Sequence, residues 1–272
     1  MISCNLLGRQ ANQMFIISAT IAYALRNGLE YHIPARTLNN SVWKPMFTHL
    51  ENPNWQPMKV CYTKKEFDEY GTVDVFLKEK THAYEELPFD EKWRTLKGNI
   101  IIDGYRQSIK YFEDYLPEVR KAFGFDYTVK KKDTVSLHHR LGDYKLYPTK
   151  HTIVPDIYFE KSLSILKEKG YSKCIVFSDS IDECEEIINS EKYPVWEFEY
   201  SKGKTELEDF QLMLQCGSFI ISASTYSLMA AILSESENKV CISPSKDNWF
   251  QHENSHLDTS TIIPDYFIQI KY

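Results

Sequence analysis

The sequence has no long hydrophobic run. No apolar stretch approaches the roughly 20 residues that a helix needs to cross a bilayer, so no transmembrane segment is predicted. The opening Met1-Ile2-Ser3-Cys4-Asn5-Leu6-Leu7-Gly8 is too short and too polar for a signal peptide. The expected location is cytoplasmic, with peripheral contact with a membrane surface left open. Excess positive charge is missing too. A net charge of −6 lends no support to a nucleic-acid partner, and the run Lys130-Lys131-Lys132 lies between two elements and reads as a solvated linker. Six cysteines stand at positions 4, 61, 174, 184, 216 and 241, none in C-x-x-C spacing. That argues against a zinc site and for free, buried thiols in a reducing compartment. Two phosphate-binding motifs are absent. Without G-x-x-x-x-G-K-[ST] there is no P-loop, and without G-x-G-x-x-G there is no dinucleotide fingerprint. No two aspartates lie two residues apart, so a D-x-D site bridging a metal to a diphosphate is not available. Any phosphate ligand then falls to arginine and to helix N-termini.

What is present is a globular α/β pattern. At 272 residues with 43% hydrophobic side chains, the chain has material for one large core or two smaller ones. A short apolar strand over 2–7 leads through a turn into a helix over 12–27, with Met14, Ile17, Ile21 and Leu25 on one stripe and Gly28 as its stop. A strand follows at 31–34. Residues 36–98 show no sustained period and are expected to form short helices and loops. The run Asn99-Ile100-Ile101-Ile102-Asp103 is a strand, followed by a helix over 109–123 that Pro117 should break. Polar residues 124–133 are the best boundary between two halves. Beyond it strands and helices alternate to residue 243, which argues a parallel sheet covered on both faces. The fold class is therefore α/β, with Rossmann-like domains at 1–128 and 129–272, a parallel sheet in each and a cleft between them.

The second half is organised around Val135-Ser136-Leu137-His138-His139-Arg140-Leu141-Gly142-Asp143. Val135 and Leu137 alternate with Ser136 and His138, so a histidine and an arginine leave a strand together at its carboxyl end, where open α/β sheets bind ligands. A guanidinium there either grips a phosphate through its planar fork or forms an ion pair at the strand end. Two further strand ends carry polar groups, Ser178-Asp179-Ser180 and Ser222-Ala223-Ser224-Thr225-Tyr226-Ser227. Each hydroxyl turn either caps the next helix or offers hydroxyls and N–H groups to an anion. Together the three converge on one sheet edge.

In order along the chain, these stretches resemble glycosyltransferase family 11, the α-1,2-fucosyltransferases. Gly8 to Phe15 resembles G-x-L-G-N-Q-M-F, and Gly104 to Phe112 resembles G-Y-F-Q-S-x-K-Y-F. Val135 to Tyr144 resembles V-S-x-H-x-R-R-G-D-Y, Phe177 to Ser180 resembles F-S-D-D, and Glu208 to Cys216 resembles E-D-x-x-L-M-S-x-C. Ile220 to Ala231 and Pro244 with Trp249-Phe250 resemble the closing segments. The resemblance implies a GT-B-like fold, GDP-fucose as donor substrate, inversion at the sugar carbon, transfer to the 2-hydroxyl of a galactoside in a glycan or surface polysaccharide, and no metal or other cofactor. It implies a catalytic role for Arg140, beside which Asp143 is a catalytic candidate, and donor contacts from Asn12, His138, Arg140, Ser178, Asp179, Ser222, Ser224, Thr225 and Ser227. Tyr105 and Gln107 are expected on the acceptor side, which the N-terminal domain would serve.

The sequence departs from the family pattern at four places. Leu141 stands where the pattern has a second arginine, Ala11 where it has glycine, Ala223 where it has asparagine, and Leu228-Met229 where it has paired tryptophans. These keep two alternatives open, a different nucleotide sugar on the same scaffold or a non-catalytic glycan- or nucleotide-binding protein. Asp143, Asp103 and His32 are the candidates for taking the proton of an acceptor hydroxyl. His252 and His256 lie in a polar tail and read as surface residues.

Overall fold

The computed structural model describes residues 2–34, 47–50, 74–78, 89, 91–95 and 97–272. The chain divides into two compact units, Met1–Gly124 and Phe125–Tyr272.

The first unit opens with strand β1 (Ile2–Cys4), and Gly8 then turns the chain at φ 69° into helix α1 (Gln10–Asn27). The helix starts two residues earlier than its apolar spacing predicts, because Arg9 is already extended as its N-cap. It is buried without interruption from Met14 to Ala24, so its polar residues need internal partners. Ser18 Oγ donates to the Met14 carbonyl at 2.7 Å and Thr20 Oγ1 to the Ile16 carbonyl at 2.8 Å. Gly28 ends the helix in the left-handed conformation expected of it.

Strand β2 (Tyr31–His32), strand β3 (Asp74–Lys78), helix α2 (Lys92–Thr95) and strand β4 (Asn99–Asp103) follow. The sheet runs β2-β1-β4-β3 with every pair parallel. Strand β3 lies in the stretch expected to hold only short helices and loops, most of which is outside the described residues. Pro117 does not break a helix. It sits in the first turn of helix α3 (Leu116–Phe123), where its missing N–H has no partner to lose. The residues before it form two 3-10 turns, Ile109–Tyr111 and Glu113–Tyr115.

The second unit alternates as predicted. It comprises β5 (Lys131–His138), α4 (Asp156–Glu168), β6 (Lys173–Phe177), α5 (Ile181–Ile187), β7 (Glu197–Tyr200), α6 (Glu206–Leu214), β8 (Cys216–Ile220), α7 (Thr225–Leu233) and β9 (Cys241–Pro244). A last strand, β10 (Ile268–Ile270), was not expected, being only three residues long. The sheet order is β10-β9-β8-β5-β6-β7, all parallel. The expected α/β class, one Rossmann-like parallel sheet in each unit, is the class observed.

In the second unit the strand order turns back on itself between β5 and β8. In the first it does so between β1 and β4. Such points leave a crevice beyond the strand ends, because the flanking connections run to opposite faces of the sheet. The core under the second crevice gathers Val135, Leu137, Tyr158, Phe159 and Val176. Tyr158 ties the layers together, its hydroxyl lying 2.5 Å from the Ile221 carbonyl and 3.2 Å from that of Ile242. The five described cysteines, Cys4, Cys174, Cys184, Cys216 and Cys241, are free and buried, as predicted. Among the described residues no helix is long and apolar enough to cross a membrane.

The β5–β8 pairing shifts register between Lys131 and Val135. At that irregularity a Cβ on Gly217 would overlap the Lys132 carbonyl oxygen. Gly217→Ala is therefore expected to destabilise the protein by about 1–3 kcal/mol, read as a lower denaturant midpoint with an unchanged slope.

Candidate functional site

Three strand ends meet at the β5–β8 crevice. As β5 ends, the His139 N–H donates to the Phe177 carbonyl at 2.9 Å. The next two N–H groups leave the sheet ladder for side chains of the neighbouring strand ends. The Arg140 N–H donates to Ser222 Oγ at 3.2 Å, and the Leu141 N–H to Asp179 Oδ1 at 2.9 Å. The loop is thus pinned from both sides. A Cβ at Gly142 would collide with Asp179 Oδ2, so glycine here is what lets the carboxylate reach the backbone.

The Arg140 guanidinium is held by two carboxylates. Nε donates to Asp143 Oδ1 at 2.9 Å and lies 3.2 Å from Asp179 Oδ2, and Nη2 lies 2.8 Å from Asp143 Oδ1. The ion-pair alternative raised by the sequence is therefore real. It does not use up the group. Arginine carries five N–H donors, and those of Nη1 make no hydrogen bond or ion pair among the described residues. The guanidinium also lies over the Tyr144 ring, 5.7 Å from its centroid. That ring is fixed in turn by its hydroxyl, which donates to the Ala223 carbonyl at 2.9 Å.

His138 is buried at the centre of the crevice. Its Nδ1 lies 2.9 Å from Ser222 Oγ and 3.0 Å from Ser227 Oγ. Burial, followed by the charge of Arg140, pushes its pKa down to about 3. Burial likewise takes His139 down to about 4. Both imidazoles are neutral at pH 7, so His138 acts there as a hydrogen-bonding group, not as a cation. Burial pulls Asp179 upward, but Arg140 and the N–H groups of Leu141 and Gly142 outweigh it and hold this carboxyl below its ordinary range.

Of the two alternatives for the serine-rich turn, side-chain capping is not the one observed at Ser224. Ser224 is the N-cap residue of α7, yet its side chain makes no capping bond. Ser222 and Ser227 instead hold His138. Ser224 is buried and Thr225 half-buried beside the first turn of α7, whose N–H groups face outward from the helix start. Ser178 accepts the Ser180 N–H at 3.0 Å, a local turn bond.

The first unit repeats the arrangement at its own crevice. Asn5, directly after β1, donates from Nδ2 to Asp103 Oδ1 at 3.3 Å. Gln107 Nε2 donates to Asn12 Oδ1 at 3.0 Å. A Cβ on Gly8 would strike Asn12, so this glycine also clears room for a polar side chain. Tyr105 and Gln107 are both buried, as is His32 in β2.

Sequence reasoning passed over Asn5, Tyr144, His151 and Phe250. Tyr144 and His151 stack at 4.5 Å and 15°, and the His151 and Phe250 rings lie 6.4 Å apart across an isolated antiparallel bridge. Tyr144 closes the quoted strand-end motif and was legible there. His151 and Phe250 are brought together only by the fold. His252 and His256 are exposed, as expected. Leu141 is 2% exposed and belongs to the core cluster. Among the described residues no group of His, Cys, Asp and Glu is placed to hold a metal.

The sequence matches the model of Glycosyl transferase family 11 over residues 1–259. It is 37% identical over 131 residues to O-antigen biosynthesis glycosyltransferase WbnK of Escherichia coli, a match covering 45% of this chain and 41% of that protein. It is 25% identical over 191 residues to an alpha-1,2-colitosyltransferase of Escherichia coli, covering 65% and 64%. To galactoside alpha-(1,2)-fucosyltransferase 2 of Rattus norvegicus it is 24% identical over 254 residues, covering 86% and 67%. The chain thus spans less than two thirds of the first two relatives' own lengths.

Two outcomes follow from the burial around the site. Between about pH 4 and 6.5 the unfolded chain binds protons at His138 and His139 that the native chain, with its lowered pKa values, does not. Stability therefore falls as pH drops through that window, by up to about 1.4 kcal/mol per pH unit for each histidine. Thermal melts from pH 7 to 4.5 should show a falling midpoint, with a shallower slope in His139→Phe. Second, Leu141→Arg places a charge in the core and should cost about 3 kcal/mol or more. It is expected to lower the melting temperature, read by a thermal melt.

Proposed function

This chain belongs to glycosyl transferase family 11, and on that premise we propose that it is an inverting transferase moving L-fucose from GDP-fucose to the 2-hydroxyl of a galactoside. The observation that carries the reading is the Arg140 guanidinium, fixed by Asp143 and Asp179 beside the open first turn of α7. In the proposed reaction the acceptor oxygen bonds to the fucose anomeric carbon as the carbon–oxygen bond to the β-phosphate breaks. The bonding pair leaves on GDP, and the hydroxyl proton passes to a protein carboxylate. Negative charge grows on the departing diphosphate. A donor group already in place stabilises that charge most where it is largest, in the transition state. Arg140 and the hydroxyl-bearing turn at Ser224, Thr225 and Ser227 fill this role, the Ser224 N–H itself being held by the Ser222 carbonyl at 2.7 Å.

The other residues follow from their partners. A carboxylate repels phosphate and accepts from hydroxyl or ring N–H groups, so Asp179, with Ser178, takes the nucleoside end. His138, Ser222 and Ser227 position Arg140 and α7. Asp143 is the proposed proton acceptor. It adjoins the guanidinium, whereas His32 and Asp103 lie on strands of the first unit. Asn12 is proposed as a donor contact, and Tyr105 and Gln107 as acceptor contacts, Gln107 being bonded to Asn12. No cofactor is proposed, and the free thiols fit a cytoplasmic location.

A second reading, favoured by the colitosyltransferase relative, is the same chemistry with a nucleotide-activated colitose as donor. Incubation of the protein with each donor and a panel of β-galactosides, with GDP release and product followed, separates the two. No transfer from either donor overturns both. Arg140→Lys keeps the charge and loses the fork, and is expected to lower kcat by about 10²–10³-fold; an unchanged kcat removes Arg140 from the chemistry.

A further inference from the structure

The segment after β9 encloses a cavity that no assignment above uses. Lys246, Asp247, Phe250, Leu257, Asp258 and Thr259 are among the residues that bound about 380 Å³. Internal bonds shape it. Thr259 Oγ1 donates to the Lys246 carbonyl at 3.0 Å, and the Lys246 N–H donates to Gln269 Oε1 at 3.0 Å. The Ser260 N–H takes one oxygen of Asp258 at 2.8 Å.

We propose that this cavity is a saccharide subsite, holding the acceptor sugar next to the one that receives the transferred residue. The inference rests on the glycosyl-transfer reading above. Its size falls within the range of small-molecule sites. Its walls combine an aromatic ring and a leucine with two carboxylates, a lysine and a hydroxyl. Sugar rings present that same mixture, an apolar C–H face and a rim of hydroxyls. Hydroxyls donating to a carboxylate make short, strong bonds, and Phe250 offers its face to the C–H groups. Asp247 is paired with the Lys271 ammonium at 3.2 Å, which leaves Asp258 as the carboxylate facing the cavity without a salt bridge among the described residues. Its position relative to Arg140 is also defined. Phe250 pairs with His151, His151 stacks on Tyr144, and Tyr144 lies under the guanidinium. A row of rings thus joins the cavity to the Arg140 crevice within one unit.

The test compares saccharides that differ by one sugar. Dissociation constants are measured in the presence of GDP for methyl β-D-galactoside and for lactose, N-acetyllactosamine and galactosyl-β-1,3-N-acetylgalactosamine. At least one disaccharide is expected to bind about tenfold more tightly than the monosaccharide. That advantage should vanish in Phe250→Ala and shrink in Asp258→Asn, an exposed change that spares the fold, while the Kd for GDP stays within about twofold. No disaccharide advantage, or an advantage that survives both substitutions, overturns the subsite. Turnover of the wild type with each donor is measured separately. A subsite that fails beside active transfer leaves the transferase reading standing. Saccharide binding without transfer overturns that reading and keeps the subsite.

Discussion

Everything at the second crevice depends on one carboxylate. Asp179 projects from the end of β6 and accepts the Leu141 N–H at 2.9 Å, and its other oxygen reaches the Arg140 guanidinium at 3.2 Å. A backbone turn and a side chain are thereby fixed by the same group. The geometry holds only because residue 142 lacks a Cβ. Without Asp179 the loop after β5 would lose its anchor on one side, and Arg140 would keep Asp143 alone, a neighbour on its own turn. Ser222 does the corresponding work on the β8 side, joining the Arg140 backbone to His138.

The two units solve the same problem with different residues. In each, a parallel sheet reverses its strand order, and polar side chains from the two central strand ends meet there. In each, a glycine clears space for a further polar side chain, Gly8 for Asn12 and Gly142 for Asp179. The helices that follow β1 and β8 differ in surroundings and not in principle. Both begin without a side-chain cap, so their first N–H groups are not already satisfied by the preceding residue.

Much of this was legible in the sequence. The alternation beyond residue 130 is strong because parallel strands buried on both faces read as apolar runs, and Lys173 to Phe177 or Phe219 to Ile221 can hardly be anything else. The strand end at His138 and Arg140 was equally plain. What could not be read depended on pairing at a distance. Strand β10 is three residues long and β3, Asp74-Val75-Phe76-Leu77-Lys78, does not alternate; they pair along the edges that β9 and β4 offer. The serines of 222–227 read as either caps or ligand contacts, yet two of them turn inward to His138, a partner more than 80 positions away. Leu141 was read against a family pattern as a missing charge. Its burial shows that in this chain the position belongs to the core.

The pairing of Arg140 has a consequence for how an anion would meet it. One guanidinium between two carboxylates, beside a neutral histidine, sums to a charge of the wrong sign for long-range attraction. From beyond a Debye length, about 10 Å at 0.1 M salt, the site offers little field to steer a phosphate inward. Recognition is left to contact range, where the unengaged N–H groups and the helix end act through direction and not through net charge. Association at such a site should respond weakly to ionic strength, unlike that of a basic groove. It would select ligands by the shape of their oxygens and not by their charge alone.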